Sequence, residues 1–483
     1  MKKRGAIKII YKKGEISDLK NYRPITLLNV DLKIITRALY KRLAKVIPNI
    51  IHHNQKCLPG RHITDNIHTM QDLIDLLNKN NENGAVLLFD QEKAFDRMSH
   101  AFIIKTLKAF GFGEYFTKWI KIIYKDTKSF VKVNGYETAE FDIQRGVKQG
   151  CPLSSILYVL VAEVLALEMR NNADIKGFRY SNGEFKISQY ADDIAMIVVN
   201  IESIKEIIKV FSKYEKATNA KINQSKTECL WVGAWKNRTD KPEGWNWSND
   251  MINLLGVYIG NRTNKKQYLS LCNSNFDDIR DKIHTKINYW KGSGLSLKGK
   301  IQVTNIFILS KLWYRLECAD ISGNTKDDIE RQTMNFIWND RKFGRISKNT
   351  LCLNYNQGGL KLQDIGIKIR TLRIKWLSHV LTLPENKLER YLVDNIIGNF
   401  RDIKGLKILH HNIAINVFGT FSMFYQNAIQ MWKSLDINHN ARNLINIYNE
   451  IIYKNPLLTN DQNETFNFPD IRIKKKYFPT TIK

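Results

Sequence analysis

Three aspartates lie at the ends of, or within, apolar strand-like segments, and they are the residues best suited to metal-dependent chemistry. Asp90 directly follows the apolar run 85–89, and Asp192 and Asp193 lie in a segment, 184–198, that we predict to be one strand. Burying carboxylates without a partner is costly, and a divalent cation is the simplest partner. Two Mg²⁺ ions, about 3.5–4 Å apart and replaceable by Mn²⁺, would stabilise the attacking and leaving oxygens of a phosphoryl displacement.

The charge of the chain indicates which substrate such chemistry would serve. The 483 residues include 75 Lys plus Arg against 47 Asp plus Glu, a formal net charge of +28. A field of this strength favours a polyanionic partner such as nucleic acid, although a merely soluble basic protein is the alternative. The length leaves room for two or three domains.

The cysteines and the hydropathy exclude several classes of protein. Six cysteines occur singly without C-x-x-C spacing, so neither a zinc knuckle nor a disulfide framework is indicated. No segment is apolar enough to span a membrane, and the N-terminus has no signal peptide. We therefore expect an intracellular protein of the nucleus or the cytoplasm that is not secreted.

The elements that must position the acids are strands and helices in alternation. The helix 31–47 is predicted to place Ile34, Ile35, Leu39, Leu43 and Val46 on one apolar face and to end at Pro48. Hairpins are predicted around Asn134-Gly135 and around Ser181-Asn182-Gly183. From about residue 268 the pattern is mainly helical, which indicates an α+β region followed by an α-rich one.

Seven short motifs occur along the first 260 residues. In chain order they are NYRPI from Asn21, GRHITDNI from Gly60, FDQEKAFD from Phe89, RGVKQGCPLS from Arg145, YADD from Tyr190, NQSK from Asn223 and LLGV from Leu254. In this order they resemble the motifs of the reverse transcriptases of non-LTR (LINE-type) retrotransposons. Further segments near Trp290, Leu312 and Phe336 extend the resemblance to about residue 380.

The resemblance implies a right-hand polymerase fold and a division of the chain. We expect the first part of the fingers in residues 1–85 and a palm with finger insertions in 86–260. A helical thumb and downstream region would follow in 261–380, and a helical C-terminal region of unknown role in 381–483. This is an α+β fold that ends in helices.

The resemblance also implies roles for the acids and for the residues around the nucleotide. Asp90 and Asp192 would be the ligands shared by the two metal ions, with Asp193 as the accompanying acid. Phe95 would lie under the sugar, where it would exclude a 2′-hydroxyl, and Lys226 would contact phosphate or protonate pyrophosphate. A core phenylalanine and an exposed lysine are the alternatives for the last two.

The remaining candidates would contact phosphates, template or primer. Gln149 and Gly150 would contact the nucleotide or the template backbone, because the glycine-rich turn precedes a helix N-terminus that favours anions. Arg145 and Gly146 are candidates for template or primer contacts. Arg61 is the favoured phosphate ligand among several cations that also include Arg23, Lys12 and Lys13, and Leu255 with Gly256 would form the primer grip.

The expected activity is synthesis of DNA on an RNA template, from a DNA primer and dNTPs. No endonuclease segment precedes the first motif, so an endonuclease would come from a longer chain or a partner. A truncated, catalytically silent relic that only binds nucleic acid is the alternative. A third interpretation, an intron-encoded maturase or an RNA-copying viral polymerase, is disfavoured by Phe95 and by the fingers and thumb motifs.

Overall fold

The computed structural model divides the chain into two compact units. The first unit comprises Met1–Asn66 with Asn83–Leu255, and the second comprises Ile67–Glu82 with Gly256–Lys483. The structure describes residues 4–12, 14–181, 183–340, 346–400, 403–410 and 422–434. Lys13, Asn182 and most of the predicted C-terminal region beyond residue 410 lie outside the described residues.

Strands are concentrated in the first unit and helices in the second. The strands are β1 (Gly5–Tyr11), β2 (Tyr22–Leu27), β3 (Asn83–Phe89), β4 (Lys128–Val133), β5 (Tyr136–Glu137), β6 (Phe141–Asp142), β7 (Phe178–Tyr180), β8 (Gly183–Phe185), β9 (Ile187–Tyr190), β10 (Asp193–Val198), β11 (Glu228–Gly233), β12 (Asn246–Ser248), β13 (Met251–Leu254), β14 (Val257–Gly260), β15 (Asn399–Phe400) and β16 (Ile403–Lys404). The helices are α1 (Val30–Ile50), α2 (Ile63–Asn80), α3 (Ala94–Arg97), α4 (His100–Ala109), α5 (Glu114–Tyr124), α6 (Ser154–Asn171), α7 (Glu202–Thr218), α8 (Lys265–Lys291), α9 (Leu297–Val303), α10 (Ser310–Cys318), α11 (Gly323–Trp338), α12 (Lys348–Cys352), α13 (Ile365–Thr382), α14 (Leu388–Ile397) and α15 (Met423–Lys433).

The first unit is organised around a five-stranded sheet in the order β12-β11-β3-β10-β9. Its central strand β3 is buried from Gly84 to Phe89 because both β11 and β10 pair with it and side chains cover both faces. Such a strand is expected to be apolar throughout, as the predicted strand 85–89 is. Helix α6, most of whose residues are buried, and the amphipathic α7 contribute their apolar side chains to the same core.

A second sheet of the first unit has the order β2-β1-β4-β5, with β6 also paired to β4. The predicted hairpin around Asn134-Gly135 is confirmed, since β4 and β5 pair antiparallel across it. The hairpin predicted around Ser181 and Gly183 is also confirmed, because Tyr180 pairs with Gly183. In the sequence, both hairpins lie between the two acid-bearing strands, β3 and β10.

Helix α1 differs from its prediction in two respects. Its buried face consists of Leu32, Thr36, Leu39, Leu43 and Ile47. Ile34 and Val46, predicted to be buried, are exposed instead. The helix also continues through Pro48 to Ile50.

The second unit is mainly helical, and it comprises the greater part of α2 together with α8 and the helices that follow it. Helices α9 and α10 are joined by a π-helical turn, Thr304–Leu309, within one continuous helical run. Among the helices that the structure describes, none has both the length and the apolar character needed to cross a bilayer.

Candidate active site

Asp90 and Asp193 lie on neighbouring strands at the same end of the central sheet. Strands β3 and β10 run antiparallel with Phe89 opposite Ile194. The residue after Phe89 is Asp90, and the residue before Ile194 is Asp193. The pairing of an entirely apolar central strand with β10 therefore brings two carboxylates together that are about a hundred positions apart in the chain.

Asp192 lies in the tight turn that joins β9 to β10. Tyr190 pairs with Asp193, which leaves a connection of two residues, Ala191 and Asp192. Ala191 has a positive φ of 54°, a conformation that is unfavourable for a residue with a Cβ. The prediction that residues 184–198 form one strand is therefore wrong, because the chain reverses at this turn.

The three carboxylates influence one another electrostatically. Burial raises the pKa of Asp193 to about 6, and the charges of Asp192 and Asp90 add to the increase. Burial is also the largest cause of the raised pKa of Asp192, with Asp90 contributing, whereas Lys12 and Arg23 act in the opposite direction. Carboxylates whose ionisation is opposed by desolvation, and further by neighbouring carboxylates, are suited to binding additional positive charge.

Asp90 has a nearby cation that is itself mostly in solvent. The Lys226 Nζ lies 3.5 Å from the Asp90 Oδ2, and the side chains are 66% and 39% exposed. The backbone N–H of Asn223 donates to the backbone oxygen of Asp90 at 2.8 Å. An exposed ion pair of this kind contributes little to stability. A ligand that binds to Asp90 or to Lys226 can therefore replace the pair at a small cost in free energy.

The acids do not form a complete metal cage. Within the described ranges, no group of three His, Cys, Asp or Glu side chains could hold a metal ion by itself. Mg²⁺ sites in phosphoryl-transfer enzymes use one or two carboxylates together with water and substrate phosphates. Two neighbouring strand ends with mutually repelling acids fit that kind of open site, in which the substrate supplies the missing ligands.

Gln55, which the sequence analysis missed, holds the turn that contains Asp192. Its Oε1 accepts hydrogen bonds from the backbone N–H groups of Ala191 and Cys57, each at 3.0 Å. The residue is only 1% exposed, and Gln55 also forms a parallel bridge with Gln189 of β9. A buried amide that bonds to a strained turn fixes its geometry. No motif or spacing in the sequence distinguishes this glutamine from others.

Phe95 lies next to the acid-bearing strand, on α3, and is half-buried. Its ring stacks on the ring of Tyr158 with centroids 4.6 Å apart. The Tyr158 hydroxyl in turn donates to the Gln91 Oε1 at 2.9 Å. The aromatic ring is therefore held in one orientation, which both a sugar gate and a core residue would require.

The glycines of the turn before α6 approach the chain's own backbone. A Cβ on Gly146, at a φ of +85°, would lie 2.7 Å from the Asp96 carbonyl oxygen. One on Gly150, at a φ of +106°, would lie 2.6 Å from the Thr26 carbonyl oxygen. The Gln149 amide donates to the Asp96 Oδ1 at 3.1 Å. These glycines are thus required by packing, whether or not a ligand also approaches them.

Arg61 and Arg145 differ in whether the guanidinium group is available to bind a phosphate. The Arg61 guanidinium donates from both terminal nitrogens to four backbone carbonyl oxygens, those of Pro48, Ile51, His52 and Gln55. These bonds close the C-terminal end of α1 and occupy the donors that a phosphate would need. Arg145 is exposed next to Gly146.

The predicted primer-grip residues lie where the chain turns between β13 and β14. Leu255 and Gly256 both have positive φ, 54° and 83°. Within the second unit, the Gly256 carbonyl oxygen accepts a hydrogen bond from the Arg315 Nε at 2.9 Å. The turn has the tight geometry that the Leu-Gly pair predicts.

Known proteins resemble this chain in sequence over most of its length. A family model described as "Reverse transcriptase (RNA-dependent DNA polymerase)" matches residues 10–259. A 149 kDa protein of transposon TX1 from Xenopus laevis is 28% identical over 482 residues, which cover 98% of this chain and 36% of that protein. A Pol polyprotein of the type-1 retrotransposable element R2 from Popillia japonica is 27% identical over 47% of this chain and 32% of its own length.

Two kinds of polymerase are among the solved structures that are partly similar to this chain. Telomerase from Candida albicans, in complex with a fragment of telomeric RNA, has 13% identity and a TM-score of 0.42 over 90% of this chain and 64% of its own. The RNA-dependent RNA polymerase of a human picorbirnavirus has 10% identity and a TM-score of 0.43 over 77% and 60%.

The chain belongs to the reverse transcriptase family of RNA-dependent DNA polymerases, and its relatives are proteins of the non-LTR retrotransposon type. The resemblance predicted from the seven motifs is therefore confirmed, as is the α+β polymerase fold class. The chain spans about a third of the length of these relatives, 36% and 32% for the two named above.

Proposed function

We propose that this chain is the polymerase core of a non-LTR retrotransposon and extends a DNA primer with dNTPs on an RNA template. The observation on which the proposal rests is the convergence of Asp90, Asp192 and Asp193 at one end of the central sheet. The family supplies the reaction class, and the net charge of +28 suits a nucleic-acid substrate.

The three acids would hold two Mg²⁺ ions, with Mn²⁺ as an alternative ion. When bound, the ions would stabilise the attacking and leaving oxygens of the phosphoryl transfer. Asp192 is fixed by the turn that Gln55 holds, and Asp90 by the end of the buried strand β3. The protein's own contribution is thus to keep mutually repelling carboxylates in place until cations neutralise them.

The cations around the acids would receive the triphosphate. Lys226 lies beside Asp90, while Lys12 and Arg23 act on Asp192 through their charge. Arg61, whose donors are occupied, is a weaker candidate for this role than Arg23. On substrate binding, the Lys226 ammonium would then exchange its ion pair with the Asp90 carboxylate for a contact with a phosphate or with pyrophosphate.

The other candidates would select and align the substrates. Phe95, held by its stack on Tyr158, would discriminate against the 2′-hydroxyl, and Gln149 with Gly150 would contact the nucleotide or the template. Arg145 and Gly146 would contact template or primer. Leu255 and Gly256 would grip the primer.

The domain boundaries and partners follow from the same proposal. Residues 1–85 would form part of the fingers, 86–260 the palm, 261–380 the thumb and 381–483 a C-terminal region. RNA template, DNA primer and dNTPs are the substrates. Insertion at a chromosomal target would require an endonuclease from a longer chain or a partner. The protein would act inside the cell, in the nucleus, the cytoplasm or both.

Primer extension tests the proposal directly. The wild-type chain, given a primed RNA template, Mg²⁺ and dNTPs, is expected to synthesise DNA, whereas Asp192→Asn abolishes synthesis and retains RNA binding. Phe95→Ala is expected to increase rNTP incorporation. A wild-type chain that binds primed RNA but never extends it would instead identify a silent relic, and a wild-type preference for rNTPs would indicate an RNA-synthesising polymerase.

A further inference from the structure

Helix α1 carries a row of positive charge that winds gradually round its exposed surface. Lys33, Arg37, Lys41 and Lys45 are four residues apart in sequence, and all four are exposed. With a rise of 1.5 Å per residue, neighbouring cations are about 6 Å apart along an axis of about 18 Å. We call these four residues the α1 stripe.

The α1 stripe is unfavourable for the isolated fold. Like charges at i,i+4 on a helix destabilise it by a few tenths of a kcal/mol per pair. Asp31 is the single acid on α1, against the four stripe residues and Arg42. Across the part of the chain that the structure describes, no acid forms an ion pair with a stripe residue.

Helix α7 shows how the same fold handles exposed lysines that have no external ligand. It has four exposed lysines at nearly the same spacing, namely Lys205, Lys209, Lys213 and Lys216. Helix α7 also carries three glutamates, and two of the lysines form ion pairs: Lys209 with Glu206 at 2.6 Å and Lys213 with Glu168 of α6 at 2.8 Å. The absence of such acids along the α1 stripe is therefore a local property of α1.

We propose that the α1 stripe binds the sugar-phosphate backbone of one RNA strand, as a surface additional to the candidate active site. A line of evenly spaced cations on flexible side chains matches a line of phosphates, and binding would release condensed counterions from the RNA. The choice of RNA as the polyanion rests on the proposed function. The stripe would hold template RNA without reading its sequence, because phosphate contacts position a strand and carry no base information.

The test measures binding of the full chain to a fluorescein-labelled, unprimed 30-nucleotide RNA by anisotropy at several KCl concentrations. The stripe variant is Lys33→Gln/Arg37→Gln/Lys41→Gln/Lys45→Gln. The matched control, Lys205→Gln/Lys209→Gln/Lys213→Gln/Lys216→Gln, removes four charges from α7. Thermal unfolding is followed for both variants, and the stripe variant is expected to be at least as stable as wild type because repulsion is relieved.

Four lost phosphate contacts predict a decrease of about 2.8 in the slope of log K against log salt, and roughly tenfold or more weaker binding at low salt. The α7 control is expected to change the slope by less than one unit. If both variants lose RNA affinity equally, the effect is one of net charge and the proposal is overturned. An unchanged slope of log K against log salt in a folded stripe variant would also overturn it. Because the assay contains no primer or dNTPs, its outcome does not depend on whether the chain polymerises.

Discussion

Each unit of this molecule contains a group of acids, and the two groups are treated in opposite ways. In the second unit, the Arg262 guanidinium forms an ion pair with Asp75 at 2.6 Å, and the two side chains are 7% and 8% exposed. The Tyr425 hydroxyl donates to the Asp72 Oδ2 at 2.7 Å. In the first unit, Asp90 and Asp192 are only half-buried and Asp193 is exposed, and the cations that act on them are themselves exposed.

The difference separates a structural use of buried acids from a ligand-binding one. A buried carboxylate with its own guanidinium or hydroxyl partner is satisfied within the fold. A partly exposed carboxylate that lies among other carboxylates and has no buried partner is instead open to an added cation. Four experiments test whether this distinction holds.

The largest effect is expected in the second unit, from Arg262→Met. Removing the guanidinium leaves Asp75 buried and unpaired, which is expected to lower the free energy of unfolding by about 3–5 kcal/mol. Urea unfolding of the full chain measures it. Arg262→Met/Asp75→Leu is the control, since removing both charges should restore most of the loss, and a single variant as stable as wild type would show that the pair is not structural.

In the first unit, Asp193→Asn is expected to decrease DNA synthesis by roughly 100-fold or more, because metal-ion charge stabilisation is worth several kcal/mol. The same change removes one of three repelling charges, so stability in EDTA is expected to stay equal or rise. Steady-state extension and thermal unfolding are the measurements. A variant that loses stability as Arg262→Met does would assign Asp193 a structural role.

An intermediate effect is expected from Gln55→Met, which removes the hydrogen bonds to the turn at Ala191. A lost buried hydrogen bond costs about 1–3 kcal/mol, here expected to appear as a roughly tenfold or greater decrease in kcat with RNA binding retained.

Gln71→Met is the matched control for this variant, because Gln71 is also a buried glutamine with two bonds to backbone, both at Gly260 of the second unit. It is expected to lower stability without changing kcat. Equal decreases in kcat for both glutamine variants would remove the special role of Gln55.

The fourth experiment concerns pH, and its effect is the smallest when it is taken over a single pH unit. Burial raises the pKa of Asp72 to about 8, and the neighbouring charge of Asp75 adds to the increase. The folded state therefore holds a proton that the unfolded state releases near pH 4, so stability falls as pH rises from about 4 to 8, by at most about 1.4 kcal/mol per unit. Asp72→Asn is expected to flatten this slope in urea titrations at pH 5, 6 and 7. An unchanged slope would mean that Asp72 is ionised in the fold.

The sequence predicts the central strand well because a strand buried on both faces must be apolar throughout. It predicts the hairpin around Asn134-Gly135 because that turn demands residues that tolerate positive φ, and in the turn before Gly183 the residue with positive φ is Ser181. It does not predict the reversal at Ala191, since alanine carries no turn signal and the flanking residues remain strand-like.

Tertiary contacts account for the other differences. The buried face of α1 is rotated from its predicted position, because the apolar and basic residues of this helix allow more than one amphipathic face and packing selects one. Arg61 donates to four carbonyl groups because the segment after α1 folds back past the end of that helix. No pattern in the sequence predicts this loop conformation. The incorporation of most of α2 into the second unit is likewise a property of distant contacts.

The reversal at Ala191 also has a stereochemical consequence. Along a straight strand, adjacent side chains alternate between the two surfaces of a sheet, so consecutive aspartates would be directed away from each other. A two-residue bend removes that constraint at the cost of one left-handed alanine. The unfavourable backbone angle is thus the condition under which two neighbours in sequence can serve a common ligand.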